Sequence, residues 1–279
     1  MTTAVNYWRD DKCAKAFWGQ HEMPAYQELM RDTLAWLEPE AGQRWLDLGC
    51  GAGRLSQALW TKSDGALAEV VGLDCAALNA QSYETIRKTA RIDETRFRFE
   101  HVDFSRGLPQ ASDRFDGAVS GLAIQYAESF NAVENRWTRE GYDALLEEIF
   151  RVLKPGGHFV FSVNVPNPSW GKVAMNALGN LFRAPRKLRY LKKLWRMWSY
   201  GGWLKREARK GRFHYLPEDM IDWKLRATGF EGVESRLSFA GQAYLFRCRK
   251  TTDARRAPSL QPGAKPVYNS FTTQQACSA

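Results

Sequence analysis

Glycines grouped at short spacing are the feature of this sequence that most directly indicates a ligand. They lie in the segment Asp47-Leu48-Gly49-Cys50-Gly51-Ala52-Gly53. Glycine permits sharp backbone turns and a close approach of the main chain to a bound molecule. The segment follows an apolar stretch and precedes a predicted helix, whose first turn offers unpaired N–H groups. The sequence therefore predicts a ligand-binding loop between a strand and a helix.

The spacing of these glycines separates two classes of cofactor. The dinucleotide fingerprint is GxGxxG, and Gly49 and Gly51 fit it. The third position, however, is Arg54, and the last glycine comes one place early, at Gly53. An acidic residue, Asp47, also opens the segment. A nicotinamide cofactor remains one alternative for this segment, and a structural turn without any ligand is another.

Aspartates at the ends of two later apolar stretches extend the pattern. Asp74 follows Val70–Leu73, 25 positions after Gly49, and Asp103 follows the stretch that ends at Val102. Open parallel sheets bind ligands at the carboxyl ends of their strands, so we expect both carboxylates beside the glycine loop. For either aspartate taken alone, a capping or solvated role is the alternative.

The order of these motifs resembles that of class I S-adenosylmethionine-dependent methyltransferases. The glycine segment, with its leading acid, is similar to motif I of that family. Two further pieces agree with it, namely Asp116–Ala123 at a fourth strand and the turn Leu153–Gly157 before a fifth. The resemblance covers residues 40–166 well and residues 215–249 loosely.

This resemblance implies S-adenosyl-L-methionine as the cofactor. It also implies that Asp74 accepts from both ribose hydroxyls, and that Asp103 accepts from the adenine amino group while the adjoining backbone flanks the ring. The cofactor-binding residues predicted in this way are Asp47, Gly49, Cys50, Gly51, Gly53, Asp74, Cys75, Asp103, Phe104 and Ser120. The five cysteines form no CxxC pair, so no metal site is predicted.

Alternating strands and helices must position these residues, and the alternation predicts a mostly parallel sheet with helices on both faces. Two closing strands over Val233–Arg249 predict an antiparallel hairpin at one edge of this Rossmann-like methyltransferase sheet. The five preceding strands are expected at Arg44–Leu48, Glu69–Leu73, Phe97–Val102, Phe115–Ser120 and His158–Val165.

Three parts of the chain are predicted. Residues 1–42 form an N-terminal helical cap, and residues 43–250 form the methyltransferase domain, with a helical insertion after the fifth strand at 167–214. Residues 251–279, with three prolines among small polar residues, are expected to be disordered.

Several acceptor chemistries are disfavoured by the sequence. None of the five cysteines follows a proline, so no covalent adduct of the cytosine-C5 type is expected. The loop after the fourth strand is Ser120–Ala123 and lacks the Asn/Asp-Pro-Pro-aromatic motif of enzymes that methylate nucleic-acid amino groups. Because the methyl sulfonium is already activated, catalysis can consist mostly of positioning. The candidate catalytic residues are His214, Gln125 and Tyr126, whereas His101 and His158 are interpreted as structural.

Positive charge is concentrated in the insertion. The chain carries a net charge of +9, and residues 183–212 alone hold twelve lysines and arginines and one glutamate. Within this segment, Arg186–Tyr200 predicts an amphipathic helix with leucines and tryptophans on one face and basic residues on another. Such a helix is typical of an anionic membrane interface. A lid that packs on its own domain and an RNA phosphate clamp are the alternatives.

The predicted function is methyl transfer to a small, hydrophobic or lipid-like acceptor. RNA is the less favoured partner and DNA is not expected. The N-terminus does not resemble a signal peptide and no apolar run could span a membrane. The location expected from these features is the cytoplasm, peripherally at the inner face of the membrane. A non-catalytic cofactor-binding protein is the remaining rival class.

Overall fold

One seven-stranded sheet organises the molecule. The structure is a computed structural model, and it describes residues 6–9, 21, 23–178 and 199–252. The strand order is β3-β2-β1-β4-β7-β9-β8, and only β9 runs antiparallel to the others. A separate two-stranded hairpin contains β5 and β6. The strands are β1 Arg44–Leu48, β2 Glu69–Asp74, β3 Phe97–His101, β4 Phe115–Gly121, β5 Ser129–Asn131, β6 Arg136–Thr138, β7 Leu153–Asn164, β8 Phe230–Ser238 and β9 Ala243–Lys250.

Helices cover both faces of the sheet, as predicted. Successive side chains of a strand point to opposite faces. Leu46 accordingly packs in a core with residues of α4 and α7, whereas Trp45 packs on the other face with residues of α2 and α3. The helices are α1 Pro24–Trp36, α2 Arg54–Lys62, α3 Asn79–Thr89, α4 Glu140–Val152, α5 Trp170–Leu178, α6 at residues 199–209 and α7 Glu218–Thr228.

Two elements differ from the sequence prediction. The strand predicted from His158 begins at Leu153, because a register shift between Phe115 and Gly117 lets β4 continue its pairing with β7 through the glycine turn. The β5–β6 hairpin was not predicted, since its strands have three residues each and are polar in part. It lies between β4 and α4 and begins three residues after Tyr126, one of the candidate catalytic residues.

The structure describes the two ends of the chain and the basic insertion only in part. The predicted helix Arg186–Tyr200 lies almost wholly in residues 179–198, outside the described residues, as does the tail from residue 253. The domain boundaries at 42, 167, 214 and 250 therefore stay predictions. Among the described helices, none has the length and apolar character needed to cross a membrane.

Candidate cofactor and acceptor site

The glycine loop after β1 brings its backbone close to neighbouring elements. Gly49, Gly51 and Gly53 have φ angles of 69°, 50° and 75°, in the left-handed region that favours glycine. A methyl group added at Gly49 would stand 2.2 Å from Ala123 Cβ and 3.5 Å from the Phe104 ring. One added at Gly51 would meet no atom within 4 Å. The loop is thus packed against the residues that follow β4 on one side and faces open space at Gly51.

Asp74, at the end of β2, fixes this loop. Its Oδ2 accepts from the Gly51 N–H at 2.9 Å, and its Oδ1 accepts from the Ala76 N–H at 2.8 Å. Burial raises the pKa of this carboxyl, and the two hydrogen bonds oppose that rise. A carboxylate therefore borders the open space beside Gly51. That space and this acceptor fit the ribose of S-adenosylmethionine, which supplies an activated methyl group when bound.

Two of the predicted cofactor-binding residues form hydrogen bonds inside the protein, beneath the glycine loop. Asp47 is buried, its Oδ2 accepts from Ser56 Oγ at 2.5 Å, and burial raises its pKa to about 7. Ser120 donates its hydroxyl to the Leu48 carbonyl at 2.8 Å. Both side chains thus support the end of β1 and the start of α2 from within the protein.

Asp103, after β3, is covered by the N-terminal segment. Its Oδ1 accepts from Asn6 Nδ2 at 3.0 Å, and its Oδ2 accepts from Arg9 Nη2 at 3.2 Å. Sequence reasoning predicted Asp103 but missed Asn6 and Arg9, which lie in a polar segment without periodicity. The N-terminal residues therefore close over the edge where the adenine is expected, and Phe104 lies between this edge and Gly49.

The two cysteines predicted near the cofactor are protonated thiols. Burial raises the pKa of both Cys50 and Cys75 well above the usual value, and nearby carboxylates add to the rise. The Cys75 carbonyl accepts from His101 Nε2 at 2.9 Å. Any contribution of these residues to cofactor binding would therefore come from their backbone groups.

Two of the candidate catalytic residues, Gln125 and His214, form hydrogen bonds with the protein's own backbone. Gln125 is fully buried, its Oε1 accepts from the Asn164 N–H at 2.5 Å, and its carbonyl accepts from the His214 N–H at 2.9 Å. His214 Nε2 donates to the Ala127 carbonyl at 2.9 Å, and its ring packs 5.4 Å from that of Tyr142 in α4. Burial lowers the pKa of His214 to about 4. This geometry does not favour either residue as a base.

Tyr126, the third candidate, belongs to a buried cluster of aromatic side chains. Its hydroxyl lies 3.2 Å from that of Tyr215, and its ring centroid lies 4.5 Å from that of Trp8. We call this group the aromatic cluster; its buried members are Tyr126, Leu204, Phe213 and Tyr215, and the partly buried residues packed against them are Trp8, Trp170, Tyr200, Trp203 and Ala208. Asn164, at the end of β7, also reaches the Tyr126 hydroxyl. Sequence reasoning missed Asn164 and Tyr215, although the position of Asn164 at a strand's carboxyl end was a usable signal.

The described part of the basic insertion packs inward. Leu204 of α6 is 2% exposed, and Trp203 packs against the same cluster. The Arg212 side chain is only 14% exposed, and it pairs with Glu128 at 3.1 Å and Glu207 at 3.4 Å. Part of the charge counted in the insertion is therefore neutralised internally, and α6 acts as a cover over the aromatic cluster.

Comparison with known proteins identifies the family. A family model described as a methyltransferase domain matches residues 20–235. The demethylmenaquinone methyltransferase of Clavibacter sepedonicus is 30% identical over 233 residues, which cover 79% of this chain and 78% of that protein. The chain belongs to the methyltransferase domain family. The predicted class, a Rossmann-like domain that uses S-adenosylmethionine, is confirmed, and the nicotinamide alternative is wrong.

Solved structures confirm the fold. The methyltransferase in complex with the Trm112 methyltransferase activator of Haloferax volcanii has a TM-score of 0.59 at 19% identity, covering 88% of this chain and 97% of that chain. An S-adenosylmethionine-dependent methyltransferase of Mesorhizobium loti has a TM-score of 0.51 at 23% identity, covering 79% and 96%. By contrast, the matches to the first three curated relatives cover only 23% to 48% of those relatives.

Proposed function

We propose that this protein transfers the methyl group of S-adenosylmethionine to a small, hydrophobic or lipid-like acceptor held by the aromatic cluster. One observation carries the proposal: a single turn at residues 6–9 touches both halves of the site. Asn6 bonds Asp103 on the cofactor side, and Trp8 packs on Tyr126 in the aromatic cluster. A turn of this kind rises about 2 Å per residue, so the two halves lie within reach of one another.

The residues of this chain would act mainly by orientation and exclusion of water. An already activated methyl group needs an acceptor held in line with it, and well-oriented reactants gain several orders of magnitude in effective concentration. The buried rings of Tyr126 and Phe213, with the partly buried ring of Trp8, offer an apolar wall for such an acceptor. A proton must leave wherever the methyl group replaces a hydrogen on an oxygen, nitrogen or carbon atom of the acceptor.

The rival functions receive less support. One of the basic residues that an RNA clamp would use, Arg212, is paired with Glu128 and Glu207 within the protein. A relative whose match covers 79% of this chain is named for a quinone-type acceptor, demethylmenaquinone. A protein that only binds the cofactor would not need a site for an acceptor. The aromatic cluster is suited to be such a site, which favours methyl transfer over cofactor binding alone.

Radiolabelled methyl transfer tests this proposal. The protein is incubated with S-adenosylmethionine labelled in the methyl group and with separate lipid, RNA and protein fractions of bacterial cells. Label is expected in the organic-solvent extract, and Asp74→Ala should abolish most of it. Label confined to RNA or protein would contradict the proposal, as would no transfer to any fraction by a protein that binds the cofactor.

We also propose that the exposed basic side of the insertion meets an anionic membrane surface, from which a lipid-like acceptor would enter. In α6, Arg206 and Arg209 are exposed to solvent while Leu204 faces inward. Each basic residue near an anionic surface contributes about 1 kcal/mol.

Vesicle sedimentation tests the membrane proposal. The protein should sediment with phosphatidylglycerol vesicles and not with phosphatidylcholine vesicles, and added salt should weaken binding because exposed charges are screened. Arg206→Glu with Arg209→Glu should reduce binding. The control, Arg31→Glu with Lys88→Glu, changes the net charge equally at other exposed positions and should bind as the wild type does. Equal losses in the two double variants would reject the insertion as the contact.

A further inference from the structure

A buried amide oxygen at the end of β7 lacks a hydrogen-bond partner among the described residues. Asn164 is 1% exposed, and its backbone N–H donates to Gln125 Oε1. Its Nδ2 lies 3.4 Å from the Tyr126 hydroxyl, while its Oδ1 has no partner in the part of the chain that the structure describes. An unsatisfied buried acceptor is costly, and a bound molecule with a donor would satisfy it.

Neutral phenols surround this amide. The hydroxyls of Tyr126 and Tyr215 lie 3.2 Å apart, and both residues are buried. Burial raises the pKa of each phenol, and it also raises the pKa of Tyr26, which the nearby Tyr126 raises further. These hydroxyls therefore stay protonated at neutral pH, where each can donate one hydrogen bond and accept others.

The position of Asn164 relative to the glycine loop follows from the sheet. Gly121 of β4 pairs in parallel with Ser162 of β7, so the carboxyl ends of these two strands lie side by side. Ala123, two residues past β4, lies against Gly49. Tyr126 follows three residues later and reaches Asn164. The amide is therefore at the same edge of the sheet as the cofactor loop, two strands further along.

We propose that Asn164, together with Tyr126 and Tyr215, binds a hydroxyl group of the acceptor. The acceptor would be a hydroxylated aromatic ring: its O–H donates to Asn164 Oδ1, and its ring lies against the aromatic cluster. Trp170, which packs against the same cluster, also has a buried indole N–H without a partner among the described residues, and this N–H suits the lone pair of such an oxygen. The inference rests on the proposed function, since it defines the acceptor of that same site.

Equilibrium dialysis of two matched probes tests the inference. The protein is saturated with S-adenosylhomocysteine, so that no transfer occurs, and is dialysed against 2-naphthol or 2-methoxynaphthalene. The second probe has the same ring system but no O–H donor. The wild type should bind 2-naphthol about tenfold more tightly, the size expected when a buried acceptor is left unpaired.

Variants identify the residues that recognise the hydroxyl. Asn164→Leu should bring the affinity ratio of the two probes close to one, and Tyr215→Phe should lower it in part without a change of shape. Tyr142→Phe is the matched control, because Tyr142 is a buried tyrosine outside the aromatic cluster whose hydroxyl also lacks a partner among the described residues. Its ratio should equal that of the wild type.

The possible failures are distinguishable. If neither probe binds at millimolar concentration, a hydrophobic acceptor is excluded, and both the proposed function and this inference fall. If the wild type binds both probes equally, only the inference falls. A ratio that survives unchanged in both Asn164→Leu and Tyr215→Phe would likewise contradict the assignment while leaving the hydrophobic acceptor intact.

Discussion

The two halves of the site are built in different ways. On the cofactor side, short loops after β1, β2 and β3 present backbone groups and carboxylates, as when Asp74 holds the Gly51 N–H. On the acceptor side, side chains from distant parts of the chain meet one another. Tyr126 contacts Tyr215, which is 89 positions away, and Trp8, from the other end of the chain.

The two halves should therefore respond differently to amino-acid substitution. A loop whose shape depends on positive φ angles and backbone contacts tolerates little change, because any added atom displaces the main chain. A surface of packed aromatic side chains can change one member and keep its shape. We therefore expect changes at the cofactor edge to abolish binding, and changes in the aromatic cluster to alter which acceptor is used.

The largest effect is expected for Gly49→Ala. The new methyl group would overlap Ala123 Cβ at 2.2 Å, so the loop must move, and a displacement of about 1 Å can cost about a hundredfold. Gly42→Ala is the control, since Gly42 has a φ of 79° but open space around it. It should lose about 1–2 kcal/mol of stability from backbone strain and keep its affinity for S-adenosylhomocysteine. Calorimetric affinity that is equal in the two variants would refute the packing argument.

A smaller effect is expected for Asp74→Ala. Loss of a charge-assisted hydrogen bond to the ribose should weaken cofactor binding by about 1.5–3 kcal/mol. Asp93→Ala removes an exposed carboxylate that accepts from the Thr95 N–H in the turn before β3. That control should bind S-adenosylhomocysteine as the wild type does. Unchanged binding by Asp74→Ala would mean that another group holds the ribose.

The pH dependence of stability should differ in sign between the two halves. The pKa of Asp47 is raised from 3.8 to about 7, so between these values the folded state binds the extra proton and stability falls as pH rises. The pKa of His214 is lowered from 6.5 to about 4, so in that window the unfolded state binds the extra proton and stability rises with pH.

Two conservative variants separate these opposing contributions. Asp47→Asn should make stability rise more steeply between pH 4.5 and 7 than in the wild type, and His214→Gln should make it rise less or fall. Differences on the order of 1–3 kcal/mol are expected. Urea unfolding at several pH values measures them. Shifts of the same sign in both variants would show that one of the two assignments is wrong.

Much of the fold and the cofactor edge could be predicted from the sequence, because their signals are local. The glycine spacing after β1 and the aspartate at the end of β2 each lie within a few residues of the strand that positions them. The acceptor side could not be predicted in the same way. Asn164, Tyr126 and Tyr215 become neighbours only through the parallel pairing of β4 with β7 and the return of the chain after the insertion.

The candidate bases show the same limit. The sequence favours His214 as a candidate base, because histidines are few and this one lies at the end of the insertion. The structure instead buries its ring against Tyr142 and engages Nε2 with the Ala127 carbonyl. In a segment without periodicity, such as the one around His214, the sequence does not show in which direction a side chain points. That orientation decides whether a histidine can meet a substrate.

Calorimetric titration of S-adenosylhomocysteine into three proteins tests most directly whether the two halves are distinct. The wild type and Asn164→Leu should agree within about twofold, as expected for sites without shared contacts, whereas Asp74→Ala should bind more weakly by at least about tenfold. The same Asn164→Leu protein should have lost its preference for 2-naphthol. If Asn164→Leu instead weakened S-adenosylhomocysteine binding as much as Asp74→Ala, the division into a cofactor edge and a separate acceptor cluster would be contradicted.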